Sequence, residues 1–296
     1  MTLRLSAATV LSIGLLATPL QAQRDFSEVE ITAEEVAPGI AVLFGAGGNL
    51  AVSYGEDGTI LVDDQFAPLT AKIEAAITEL GAKPVQYLIN THWHGDHTGG
   101  NENFAKKGAQ IFAHHNVRSR LASGSQPEGN TPPAPAAALP VVTYGQGITM
   151  HVNGDTVDVM FVGGGHTNGD SIVRWREDNV VHMGDLYFNI PGFPYMDISS
   201  GGSVLDAMNS LDVILPMLDE ETVVIPGHGT VSTKAELTAY RAQLGAMVDR
   251  VRELYEQGMT LEEAQAASPL AGFNEGEEGF KDADDFVEMV YESLGD

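Results

Sequence analysis

The chain has 296 residues, 43% of them hydrophobic, enough to bury a sizeable core in one large domain. It has no cysteine, which excludes disulfides and a cysteine-linked lipid anchor. A formal net charge of −26 makes the surface repel nucleic acid and anionic membranes, so no nucleic-acid partner is expected, and the acidity reads first as a solubility feature.

Residues 1–22 combine one positive charge at Arg4, an apolar stretch from Ala7 to Ala17, Pro19 and a small residue at Ala22. That is the pattern of a secretory signal peptide cleaved near Ala22. The apolar stretch is shorter than the ~20 residues that span a bilayer, so no stable membrane anchor is expected. The mature chain, residues 23–296, is expected to form one domain in the periplasm or outside the cell.

Residues 41–44 and 50–53 are short apolar runs broken by Gly45, Gly47 and Gly48, and read as paired strands around a turn. Residues 59–62 add a third strand that ends at Asp63 and Asp64. Over residues 70–80, Ile73, Ala76, Ile77 and Leu80 recur three or four apart and Gly81 follows, which predicts an amphipathic helix. Residues 84–89 read as a buried strand running into a histidine cluster.

A helix near 101–107, a strand at 110–113 and a helix at 116–122 follow. Residues 123–140 are a loop holding five prolines. Strands are predicted at 148–152, 156–162, 171–174 and 180–183, with turns at Asn153-Gly154 and Asp178-Asn179. Later come a strand at 223–225 and a long helix from 233 to about 256. The acidic tail, 274–296, holds Phe280, Phe286, Val290 and Tyr291 at roughly helical spacing, which predicts a final docked helix. Strands followed by helices, twice over, suggest two sheets packed face to face with helices outside.

The chemistry is concentrated after the strand at 84–89. His92, His94, Asp96 and His97 fall within six positions, and imidazole with carboxylate is the donor set that suits zinc. His92 and His94 could face one metal while Asp96 and His97 turn towards another, with Gly95 permitting a tight turn. His166, Asp185 and His228 each follow a predicted strand and sit beside glycine, where loops at a sheet end can converge. Any of them alone would be an ordinary structural residue; with the cluster they read as ligands. His182 reads as structural.

Taken together, these stretches resemble the metallo-β-lactamase superfamily over nearly all of the mature chain: Asp63 after a strand, the H-x-H-x-D-H cluster, Gly-His166-Thr, Gly-Asp185 and Gly-His228-Gly. The resemblance implies an α/β fold, an αββα sandwich of two mixed sheets with outer helices and the site at one edge. It implies two Zn2+ per chain, the first on His92, His94 and His166, the second on Asp96, His97 and His228, with Asp185 bridging. Asp63 is similar to the family's carboxylate that orients ligands, with Asp64 a rival. Diiron relatives typically replace His94 by glutamate, so zinc is favoured over iron, with manganese also open.

The expected chemistry is metal-assisted hydrolysis of a small-molecule ester, lactone or amide. Asp96 would be the catalytic residue that orients the attacking nucleophile and carries its proton. β-Lactamases of this fold commonly have cysteine or serine where Asp185 stands, and a basic group to grip the substrate carboxylate. No Lys or Arg occurs between Arg176 and Lys234. A class B β-lactamase and a non-catalytic periplasmic metal-binding accessory protein are the alternatives. Oligomeric state is not legible.

Overall fold

The structure is a computed structural model in which residues 25–124, 131–274 and 279–295 are described. The expected leader and part of the proline-rich loop lie outside these residues. Among those described, no helix is long and apolar enough to cross a membrane.

The first sheet holds β1 (Thr32–Ala37), β2 (Ile40–Phe44), β3 (Leu50–Tyr54), β4 (Thr59–Val62), β5 (Tyr87–Ile89), β6 (Gln110–His114) and β7 (Val142–Tyr144), in that spatial order. Its first four strands pair antiparallel and its last four, from β4 onward, parallel. The parallel half needs crossovers, which α1 (Thr70–Glu79), α2 (Gly95–Thr98), α3 (Asn101–Lys106) and α4 (His115–Ser123) supply.

The second sheet is built from β8 (Gly147–Val152), β9 (Asp155–Phe161), β10 (Ser171–Trp175) and β11 (Val180–His182). After these come β12 (Phe188–Asn189), α5 (Val204–Ile214), β13 (Val223–Ile225), β14 (His228–Gly229) and β15 (Ser232–Thr233). The spatial order is β15-β13-β11-β10-β9-β8, mixed, while β12 and β14 pair separately. Three helices close the chain: α6 (Lys234–Glu256), α7 (Leu261–Ala266) and α8 (Ala283–Gly295).

Strand alternation explains the layers. On β4, Ile60 and Val62 point into the space between the sheets, where they meet Val157, Val159, Val173, Trp175 and Ile225. Leu61 between them points outward, into a second core with Ile73, Ile77 and Phe104 under the helices. On the far side, Ile172, Val181 and Val224 pack against Leu211 of α5, Leu244 and Val248 of α6, and Phe286 and Val290 of α8. Strands covered on both faces carry unbroken apolar runs, as at residues 40–43, 50–52 and 60–62, all of them buried. This is the αββα sandwich the sequence predicts.

Local signals fix the joints. Asn153 (φ 58°) and Gly154 (φ 83°) form the β8–β9 hairpin turn. α6 opens with a reciprocal cap in which Thr233 and Glu236 satisfy each other's backbone N–H groups. Two elements depart from the reading above. β1 carries the exposed acids Glu34 and Glu35 on a sheet edge, so it has no apolar alternation to announce it. Phe280 does not lie on the final helix, which starts at Ala283; it belongs to the approach segment and is half exposed.

Candidate metal centre

Seven side chains meet at the edge where β4, β5, β11 and β13 end. β5 delivers Thr91 and His92. His94 then caps the short helix α2, its carbonyl accepting the N–H groups of His97 and Thr98. This single turn places Asp96 and His97 on the other side of the site from His92 and His94. Asp185 follows β11, His228 opens β14, and His166 leaves a loop of three glycines with positive φ. That loop lies so close to α5 that a Cβ on Gly165 would stand 2.6 Å from the Cα of Ala207.

The donor atoms fall into three overlapping groups, each with ligand atoms within 4.8 Å of one another: His92, His94 and His166; Asp96, His97 and His228; and His92, His97 and Asp185. His94 Nδ1 lies 3.2 Å from His92 Nε2 and 2.8 Å from His166 Nε2. His97 Nε2 lies 3.3 Å from His228 Nε2 and 3.2 Å from Asp185 Oδ1. The other oxygen of Asp185 is 3.4 Å from both His166 Nε2 and His228 Nε2.

Outer partners set which nitrogen of each ring faces inward. Asp197 Oδ2 accepts from His94 Nε2 at 2.8 Å, and the Tyr195 carbonyl accepts from His166 Nδ1 at 2.7 Å. Asp63 Oδ2 accepts from His97 Nδ1 at 2.8 Å. Thr91 donates its hydroxyl to Asp63, which leaves its oxygen to accept from His92 Nδ1 at 3.0 Å. The inward nitrogens of His92, His94 and His166 therefore present lone pairs to one another with no proton between them. Asp185 Oδ1 is buried and, although His97 Nε2 stands 3.2 Å away, accepts no well-aligned hydrogen bond. Clustered lone pairs around an unsatisfied carboxylate oxygen are what a divalent cation with nitrogen and oxygen ligands satisfies, so the residues fit the metal site implied by their types.

Charge agrees. Burial holds His92 well below the usual imidazole range and lowers His166 to about 4, so both are neutral donors. Burial works against ionising Asp185, but His97, His228, His92 and His166 outweigh it and keep it well below the carboxylate range. Burial also disfavours charge on His97, yet Asp185, Asp96 and Asp63 hold it well above the imidazole range. Asp197 is likewise held low: its hydrogen bonds from His94, Ser199 and Ser200 overcome the opposing effect of burial.

Asp63 and Asp64 separate cleanly. Asp63, in the left-handed region at φ 59°, takes the N–H and hydroxyl of Thr91 as well as His97. Asp64 turns away to accept the Gly100 N–H at 2.7 Å, and burial raises its carboxyl well above the usual range. His182 is fully buried in backbone contacts, with Nε2 at 3.0 Å from the Asn49 carbonyl and Nδ1 accepting from Gly184.

Several contributors carry no sequence signal. Asp197 is a lone carboxylate whose only local hint is the serines after it. Phe280 and Lys281 arrive from the far end of the chain. The Phe280 ring stands 4.9 Å from that of His228 and 5.7 Å from Phe188, which is itself stacked on His228. Lys281 Nζ lies 5.1 Å over the Tyr195 ring, which stacks 6.2 Å from His94. A basic group thus reaches the site's edge although none occurs between Arg176 and Lys234. Tyr187 and Phe193, by contrast, are buried core residues.

The sequence model of the metallo-beta-lactamase superfamily matches residues 45–228, a span that contains all seven of these residues. The chain belongs to that superfamily. Among curated relatives, the 2,4-dinitroanisole O-demethylase subunit alpha of Nocardioides sp. is 27% identical over 141 residues, covering 47% of this chain and 41% of its own. Hydroxyacylglutathione hydrolase of Polaromonas sp. is 26% identical over 195 residues, 65% of this chain and 66% of its own. The type 2 metallo-beta-lactamase of Bacteroides fragilis is 26% identical over 185 residues, 58% and 68%. This chain thus spans less than half of the demethylase subunit and just under two thirds of the Polaromonas hydrolase.

Solved structures share the fold. DIM-1 metallo-beta-lactamase superposes with a TM-score of 0.60 at 22% identity, covering 74% of this chain and 99% of its own. A double mutant of the sec-alkyl sulfatase PisA1 gives 0.67 at 17% identity, over 89% of this chain and 50% of its own.

Proposed function

We propose that this superfamily member is an exported hydrolase that holds two zinc ions and cleaves an ester, lactone or amide bond in a small molecule. The observation that carries the reading is the pair of three-residue donor groups facing one another across Asp185. His92, His94 and His166 would hold one ion; Asp96, His97 and His228 would hold the other, with Asp185 shared. Bound divalent cations of this kind polarise a carbonyl and make water nucleophilic near neutral pH.

The protein's own residues supply the rest. Asp96 is the ligand-set carboxylate that reaches solvent, with 27% of its side chain exposed, so it can orient an attacking water and take its proton. Asp63 and Asp197 fix the rings. Phe188 and Phe280 pack against the ring of His228, and Tyr195 against that of His94. Export rests on the apolar leader at residues 1–22.

Lys281 favours a second reading, a class B β-lactamase, because it offers a cation to a substrate carboxylate. Asp285, 3.7 Å from its Nζ, competes for that charge. The deciding experiment measures zinc content and then turnover by zinc-loaded protein, beside Asp96→Ala, on matched panels of β-lactams, lactones, esters and thioesters. Ester or lactone turnover with feeble lactam activity, lost in Asp96→Ala, supports the first reading. Efficient lactam turnover selects the second, and tight zinc binding with no turnover on any panel means a non-catalytic metal-binding protein.

A further inference from the structure

The four inward-facing rings whose outer nitrogens have partners are held from two directions. His97 and His92 are held through Asp63 and Thr91, both at the β4 and β5 ends of the first sheet. His94 and His166 are held by one short strap, residues 195–197. The Tyr195 carbonyl takes His166 Nδ1–H, the Asp197 carboxylate takes His94 Nε2–H, and the Asp197 N–H returns to the His166 carbonyl at 2.8 Å.

The strap is itself immobilised. Ser199 donates to Asp197 Oδ1 at 2.6 Å, and Ser200 donates its hydroxyl to Oδ2 and its N–H to Oδ1. From the C-terminal side, Met196 N–H points at the Met289 sulfur at 3.2 Å, and Phe193 bridges to Lys281 in antiparallel fashion. Asp197 is 6% exposed, so little water is available to replace it as the acceptor for His94.

We propose that Asp197 is a positioning residue that fixes His94 as an Nδ1 donor, and that the 195–197 strap sets metal affinity at the His92/His94/His166 position. The inference rests on the two-metal reading above. Its physical basis is that an imidazole whose outer N–H is accepted by a carboxylate is both held in one tautomer and made a stronger donor, an effect typically worth 10–100-fold in metal affinity. The strap holds rings of that position alone, whereas Asp63 reaches rings of both, His97 directly and His92 through Thr91, so loss of Asp197 should be felt mainly at the strap's own end.

The test is zinc titration against a chromophoric chelator for the full chain, Asp197→Asn, Asp197→Glu and Asp63→Asn, with cobalt substitution followed by proton NMR. The expected result is a weakening of about 10–100-fold at one of two positions in Asp197→Asn, with partial recovery in Asp197→Glu. In the cobalt form, the paramagnetically shifted N–H signal of His94 should move or broaden by exchange in Asp197→Asn while that of His97 persists, and Asp63→Asn should disturb the His97 signal while sparing that of His94. Equal weakening of both positions by Asp197→Asn, or none, overturns the proposal. An unmodified chain that takes up no second metal refutes instead the two-metal reading on which it depends.

Discussion

Gly48 stands against the face of His97 so closely that a methyl group cannot be added without moving the ring. A Cβ built there would lie 2.1 Å from His97 Cε1, 2.5 Å from Nε2 and 2.6 Å from Nδ1. The ring cannot swing aside cheaply, because it is fully buried and its Nδ1 is tied to Asp63 at 2.8 Å. Nor can the loop simply lift: the Gly48 carbonyl accepts from Gln65 Nε2 at 2.7 Å, and the next residue's N–H bonds to the Gly227 carbonyl at 2.7 Å. Overpacking of this kind costs about 1–3 kcal/mol. At about 2–4 °C for each kcal/mol in a chain of this size, Gly48→Ala should lower the melting temperature by roughly 2–12 °C. Displacing His97 should also empty the Asp96/His97/His228 position while the other still fills. The assay is differential scanning calorimetry beside zinc analysis of the purified variant. Two zinc ions retained at undiminished affinity, with unchanged melting, would refute the claim that this glycine sets the position of His97.

Two further outcomes follow from the site. Asp185, Asp96 and Asp63 push His97 well above the usual imidazole range against the effect of its burial, which favours a proton that an incoming cation must displace. Zinc affinity should therefore weaken as pH falls, and calorimetric titrations in buffers of different ionisation heat should report proton release; observed heats that do not vary with the buffer would contradict this. Phe280 should contribute an aromatic contact to apolar substrates, of about 0.5–1.5 kcal/mol. Phe280→Ala should then lower kcat/KM about 2- to 10-fold for phenyl-bearing substrates, leave acetyl analogues and zinc content unchanged, and so appear as a shift in substrate preference in parallel assays.

The sandwich and the seven donors were legible because their signals are local. His92, His94, Asp96 and His97 lie in one run, and strands buried on both faces show unbroken apolar runs such as 40–43 and 60–62. His166, Asp185 and His228 were readable only beside that run, each through a flanking glycine. Asp197, Phe280 and Lys281 left no such trace. Their roles arise from where the 195–197 strap and the C-terminal segment dock, and docking is decided by packing against α5, α6 and α8 rather than by neighbours in the chain. Edge strand β1, with its exposed glutamates, was silent for the related reason that only one side of it is paired.

His97 and His228 stand 131 positions apart in the chain, yet their Nε2 atoms are 3.3 Å apart. Contacts this distant close late, after the local turns and hairpins have formed. A nascent or refolding chain therefore owns the 92–97 donors long before Asp185 and His228 arrive. A cation captured at that stage would be shared among side chains destined for two different positions and would hold them in the wrong grouping. The expected productive order is docking of the two sheets first and metal second, and refolding in the presence of a chelator followed by zinc addition should then yield more correctly loaded protein than refolding in excess zinc.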